Sequence, residues 1–242
     1  MRIAVFSDVH GFNLALERVI AGIEAQGPFD EIIAAGDHCE LGPGPAESLD
    51  LLIACGYTLL IGNTDQAIVD AAWLGTGDNE LRFSIEQLGV DRIKTLAKLP
   101  FSRRITPPGG KGPDDDLLVV HATPHSLVDR FDPDATDEEL RAVIGPTQAA
   151  AIAFGHVHIC YTRQVDRTLL VDVSAVGNSK NGDLSSKYGI LNWDAAERSW
   201  HAEIRTVDYP LAETEAQIRQ NGVPNAEKVV KRLRRATYRS TD

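Results

Sequence analysis

Apolar residues along the chain come in two rhythms, and they alternate. Residues 2–7 hold the unbroken run Ile3, Ala4, Val5 and Phe6, which predicts a strand buried on both faces of a parallel sheet. After Gly11, Leu16, Val19, Ile20 and Ile23 recur at i, i+3, i+4 and i+7, one stripe of a helix that Gly27-Pro28 stops. The same alternation predicts a strand over 31–35, a helix opened by Pro45 and closed by Gly56, and a strand over 58–61. Residues 66–99 read as mostly helical, and Pro100 and a loop over 107–113 break the chain after them. Short apolar runs at 117–120 and 152–154 predict buried strands, and Thr136 with Glu139 is spaced as the capping box of a helix between them. Beyond residue 160 the spacing shortens. Strands over 161–165, 168–173, 188–193 and 200–207, with turns at Asp166-Arg167 and near Ala195-Ala196, predict a run of antiparallel hairpins.

Helices between strands in the first half and hairpins in the second predict an α/β fold of two sheets packed face to face with helices outside. The glycine-rich loop 107–113 reads as a hairpin connection, so residues 1–242 are read as one domain. Within it lie a helical segment at about 65–99 and a C-terminal extension at about 210–242.

Composition narrows the classes. The 242 residues are 43% hydrophobic, enough for a core without staples, and three cysteines without C-x-x-C spacing argue against a disulfide framework or a zinc ribbon. No signal-peptide core or membrane-length apolar run is present, so the expectation is a cytoplasmic protein with no membrane partner. A net charge of -11 argues against gripping long nucleic acid, which needs cations against phosphates, and leaves small anionic substrates open. Lys228, Lys231, Arg232, Arg234, Arg235 and Arg239 are a local basic exception, read as the wet face of a terminal helix rather than a site for an acidic partner.

Polar clusters end five of the predicted strands: Asp8-Val9-His10, Gly36-Asp37, Gly62-Asn63, His121, and Gly155-His156-Val157-His158. Each alone is weak, and Asp, Asn and Gly are ordinary turn residues. Together they place seven metal-ligand types at strand ends, where open α/β sheets carry their sites. Residues i and i+2 of a strand project to one side, so each of the two histidine phrases offers a pair of ligands to one region.

In order, these phrases resemble the calcineurin-like metallophosphoesterases, whose pattern is Asp-x-His, Gly-Asp, Gly-Asn, a lone His, then Gly-His-x-His. The likeness covers roughly residues 1–182. It implies a four-layer α/β/β/α sandwich of two mixed sheets flanked by helices, with a dinuclear metal centre. Asp8, His10 and His158 would hold one ion, Asn63, His121 and His156 the other, and Asp37 would bridge them. The implied ions are two divalent or mixed-valence transition metals, Mn foremost, with Fe, Zn, Co or Ni as alternatives. The implied reaction is phosphoester hydrolysis by a metal-bridging hydroxide, with Asp37 counted among the catalytic residues.

Departures from the pattern narrow the branch. Leu41 stands where phosphatases and dinucleotide hydrolases of this kind place a phosphate-gripping Arg, and Thr64 where they place a proton-donating His. The stretch Val173-Ser174-Ala175-Val176-Gly177-Asn178 and the phrase His121-Ala122-Thr123-Pro124 are similar to those of small bacterial and archaeal phosphodiesterases. A phosphodiesterase acting on a small phosphate ester, nucleotide or cyclic nucleotide included, is therefore expected. The alternatives are a monoesterase, a dinucleoside polyphosphate hydrolase, and an interaction scaffold of the same fold with weak turnover. His38 and His125 are the candidates for donating a proton to the leaving oxygen, Lys180 is a weaker candidate for a phosphate contact, and His201 reads as structural. Oligomeric state stays open, a homodimer among the options.

Overall fold

The computed structural model describes residues 1–237, so Arg239 of the basic stretch lies outside the described residues. The chain opens with β1 (Arg2–Phe6), α1 (Asn13–Ala25), β2 (Glu31–Ala34), α2 (Pro45–Cys55), β3 (Thr58–Leu59), α3 (Asn63–Leu74) and α4 (Asn79–Leu96). It continues through β4 (Ser102–Ile105), β5 (Leu117–Val120), α5 (Asp137–Ile144), β6 (Ala151–Phe154), β7 (Tyr161–Val165) and β8 (Thr168–Asp172). Last come β9 (Ser186–Asp194), β10 (Ser199–Val207), α6 (Leu211–Gln220) and α7 (Ala226–Arg235).

One five-stranded sheet runs β10-β9-β1-β2-β3 and the other β4-β5-β6-β8-β7. β1, β2 and β3 are mutually parallel, as are β5, β6 and β8, so the ends of β1, β2, β5 and β6 that lead into the polar clusters share a direction within each sheet. Between the sheets Val5, Ile33, Val119, Ala153, Val171 and Leu191 interdigitate, with Trp193 against Trp200 at 5.6 Å between ring centroids. The α1 stripe Leu16, Val19, Ile20 and Ile23 packs on the outer face of the first sheet with Phe6, Tyr188 and Ile190. Leu140 and Ile144 of α5 cover the second sheet with Phe131 and Phe154. Each such aliphatic side chain taken from water stabilises the fold by about 1.5–3 kcal/mol. The result is the expected α/β/β/α sandwich.

Several local expectations shift. The late strands split between the sheets: β7 and β8 form a hairpin in the second, whereas β9 returns to pair antiparallel with β1. β4 is an edge strand exposed at Ser102, Arg103 and Arg104, which hides its apolar face from a pattern reading. The helical stretch breaks at Gly75, left-handed at φ 67°, and kinks inside α4 at Gly89, φ 66°. Among the described residues no helix is long and apolar enough to cross a membrane.

Candidate metal centre

All seven predicted ligands converge where the two sheets meet. Five of them, Asp8, His10, Asp37, His156 and His158, have left-handed backbones with φ between 52° and 71°. Turn geometry, and not the alternation of a strand, therefore brings the paired ligands together. β1 ends at Phe6 and β6 at Phe154, so the phrases after them are tight turns rather than strand continuations, and strained non-glycine turns of this kind gather at functional sites. Glycine precedes three of the ligands because backbones nearly touch there. A Cβ at Gly62 would fall on the Asp37 backbone nitrogen and Oδ1, and one at Gly155 on Asp8 Oδ2 and Ser7.

Two lobes form with Asp37 between them. In one, His158 Nε2 lies 3.2 Å from Asp8 Oδ1 and 3.1 Å from His10 Nε2. In the other, Asn63 Oδ1 lies 2.8 Å from His121 Nε2 and 3.0 Å from His156 Nδ1. Asp37 reaches both, Oδ2 at 3.7 Å from His10 Nε2 and Oδ1 at 3.5 Å from His121 Nε2.

The backbone fixes which atoms face inward. His158 Nδ1–H donates to the Asn178 carbonyl at 2.8 Å and His121 Nδ1–H to the Ala35 carbonyl at 3.0 Å. In the neutral rings that tautomer turns both Nε2 lone pairs toward the cluster. Asp8 Oδ2 accepts from the His156 N–H at 2.8 Å, while buried Oδ1 has no hydrogen-bond partner. Ring nitrogens and carboxylate oxygens thus crowd together around a buried carboxylate oxygen left without a partner, an arrangement that a cation resolves.

Burial, then neighbouring His158, holds His10 down to about 3, and burial, then His121, holds His156 at about 4, so both rings are neutral at pH 7, the form in which an imidazole can bind a metal. Burial pushes the Asp37 carboxyl up to about 6. Burial would raise Asp8 too, but His158, His121 and His10 outweigh it and leave it lowered. Burial would depress His121, yet Asp37 and Asp8 outweigh it and leave it raised. Asp8, His10 and His158, and likewise Asp8, Asp37 and His121, bring ligand atoms within 4.8 Å of one another, close enough to hold a metal ion.

A cavity of about 430 Å³ opens over the cluster, lined by His10, Asp37, Asn63, His156 and His158. Lys180 and Asn178 line it as well, as do Leu41 and Thr64, the two positions that depart from the family pattern.

The proton-donor candidates lie elsewhere. His38 is fully buried, its Nε2 2.8 Å from the Leu60 carbonyl, and the exposed His125 has Nε2 3.1 Å from the Ile144 carbonyl. Neither lines the cavity. His201 is exposed near the start of β10 beside Glu197, 3.1 Å away.

Residues 1–196 match the calcineurin-like phosphoesterase superfamily domain. The chain belongs to that superfamily. This calcineurin-like phosphoesterase is 33% identical over 129 residues to the symmetrical bis(5'-nucleosyl)-tetraphosphatase of Acidovorax ebreus (strain TPSY), covering 50% of this chain and 44% of that protein. The chain thus spans less than half the length of this relative. A metallophosphoesterase structure from Sphaerobacter thermophilus aligns with TM-score 0.76 and 24% identity over 98% of this chain and all of the other. A hypothetical protein from Pyrococcus horikoshii OT3 aligns with TM-score 0.81 and 18% identity over 98% and 99% of the two chains. Both share the fold of this chain along almost their whole length.

Five further charged residues line the cavity of this calcineurin-like phosphoesterase without having been expected there: Glu40, Glu80, Arg130, Lys228 and Arg232. The last two belong to the basic stretch read as a wet helix face, and that reading is corrected for them. Lys228 and Arg232 stand four apart, one turn of a helix that buries Val229, Val230 and Leu233, but that spacing does not say that their face meets a cavity.

Proposed function

We propose that this protein is a metal-dependent hydrolase of phosphate esters that cleaves phosphodiester bonds in a small, nucleotide-like substrate. The observation that carries this reading is the set of acceptor atoms crowded inward from seven residues at strand ends of both sheets. Asp8, His10 and His158 would hold one divalent cation, Asn63, His121 and His156 a second, and Asp37 would be shared. Imidazole nitrogens with carboxylate and amide oxygens suit Mn, Fe, Zn, Co or Ni better than Ca. When bound, such ions polarise a phosphoryl oxygen and activate water.

The chain's own residues prepare that chemistry. The Ala35 and Asn178 carbonyls orient His121 and His158. The Thr64 N–H, 2.9 Å from Asp37 Oδ1, and the His156 N–H on Asp8 Oδ2 hold the carboxylates. Arg130 and Lys180 bring positive charge to the cavity, where Leu41 offers a phosphate nothing. No histidine beyond the cluster lines the cavity to protonate the leaving oxygen, which favours esters whose leaving group departs without such help.

A second reading, hydrolysis of dinucleoside polyphosphates, is favoured by the likeness to the Acidovorax tetraphosphatase. A panel of aryl diester, aryl monoester, cyclic nucleotide and dinucleoside tetraphosphate, each with Mn and after chelation, separates these. Chelator-sensitive turnover led by the diesters supports the first reading, and turnover led by the tetraphosphate the second. If Mn-loaded protein turns over none of them, the phosphoesterase reading is wrong and a scaffold role takes its place.

A further inference from the structure

α7 lies beyond residue 196, where the family match ends, yet it reaches the cavity. Both of its ends are fastened to segments that line the cavity. At the N-terminal end Asn225 Nδ2 donates to Glu80 Oε1 at 3.2 Å, and Glu80 lines the cavity. At the C-terminal end the Gly182 N–H donates to the Ala236 carbonyl at 2.6 Å, and Asn181 pairs with Thr237. That second anchor belongs to the loop that carries Asn178 and Lys180 to the cavity. In between, Val229, Val230 and Leu233 are buried, and Arg234 grips Glu215 of α6 through two contacts of 2.6 and 2.9 Å. The helix is pinned at both ends to cavity-lining segments and lines the cavity between them.

Its charges divide by face. Arg234 pairs with Glu215, and Glu227 pairs with Arg219. Lys228 and Arg232, one turn apart on the cavity side, make no ion pair among the described residues. Two cations left uncompensated at the rim, in a chain of net charge -11, sit where an anionic substrate must pass. They share the cavity with Glu40 and Glu80, which would otherwise repel an anion. The volume of about 430 Å³ falls in the range of sites that take whole nucleotide-sized ligands.

We infer that Lys228 and Arg232 form a second anion subsite, which binds a phosphate of the substrate other than the one attacked at the Asp8–His158 cluster. The substrate class is then a nucleotide ester or anhydride bearing at least one further phosphate. The inference rests on the phosphoesterase reading and adds to it the part of the chain that selects the substrate. Arg232 supplies a planar fork for two phosphate oxygens and Lys228 a point charge, so together they offset the loss of the Arg fork at Leu41.

The test uses the full chain loaded with Mn, comparing wild type with Lys228→Ala, Arg232→Gln, the double variant, and Lys231→Ala, whose exposed side chain does not line the cavity. The readout is the ratio of kcat/KM for a dinucleoside tetraphosphate to that for bis(p-nitrophenyl) phosphate. Calorimetric titration of inorganic tripolyphosphate into metal-free protein gives a second readout, independent of turnover. The ratio is expected to fall at least tenfold in the double variant, mainly through KM, and tripolyphosphate affinity at least tenfold. Arg232→Lys, which keeps the charge without the fork, falls between, and Lys231→Ala keeps both values. Equal loss on the two substrates, no loss on either, or the same effect from Lys231→Ala overturns the subsite. Wild-type protein inert toward both substrates overturns the phosphoesterase reading beneath it, so the two failures are told apart.

Discussion

Glu40 lines the cavity three residues after Asp37, half-buried and surrounded by acid. Burial, then Asp37, Asp78, Glu80 and Asp65, pushes its carboxyl from the ordinary 4.5 up to about 7. Between those values the folded protein keeps the proton that the unfolded chain gives up, so the folded state binds more protons and loses stability as pH rises from 4.5 to 7. That gap corresponds to about 3.4 kcal/mol, and partial exposure of the side chain reduces it to about 2 kcal/mol. Glu40→Gln keeps the shape and removes the charge. In urea titrations with chelator present, wild type and variant should match at pH ~4, and the variant should be about 2 kcal/mol more stable at pH ~8.5 with the slope in urea unchanged. A difference that does not vary with pH, or a variant that is less stable at the alkaline end, would refute the assignment of this strain to the Glu40 charge.

Three structural perturbations test the scaffold of the cluster. Gly62→Ala drives a methyl group into the Asp37 backbone and carboxylate, and should cost about 1–3 kcal/mol, a fall of roughly 3–10 °C in Tm, together with loss of Mn binding by calorimetry. Asp65→Ala leaves the His38 and Gly62 N–H groups, bonded at 2.9 and 3.1 Å, without their acceptor, and should cost roughly 2–4 kcal/mol in urea unfolding. Leu16→Ala opens a void under α1 at a residue that does not line the cavity, and should cost about 2–5 kcal/mol while leaving Mn affinity unchanged in the folded protein.

The metal-ligand phrases were legible because each is short, local and attached to a strand whose apolar run is unmistakable. Parallel strands then bring their ends together without any further information from the sequence. Direction was not legible. Asp37 sits in a left-handed turn, and the residue after it, His38, runs inward to the Leu60 carbonyl rather than toward the cavity, so adjacency to a candidate ligand says nothing about where a ring points. Partition of the late hairpins was hidden for a different reason: β8 and β9 carry similar apolar patterns, and only long-range pairing decides that one joins β6 and the other β1. The reach of α7 was hidden most deeply. Its charge pattern is that of any solvated helix, and its place at the cavity depends on long-range contacts, with Glu80, 145 residues away in the chain, at one end and with Gly182 at the other.

The most direct test of the central claim is the rate of bis(p-nitrophenyl) phosphate hydrolysis as Mn is added back to chelated protein, with bound Mn counted in the same samples. The rate should be negligible without metal and rise to saturation at two ions per chain, and Asp37→Ala should lose both the second ion and the turnover. Hydrolysis that is indifferent to Mn and chelator, or an Asp37→Ala protein that keeps two ions and the full rate, would contradict that claim.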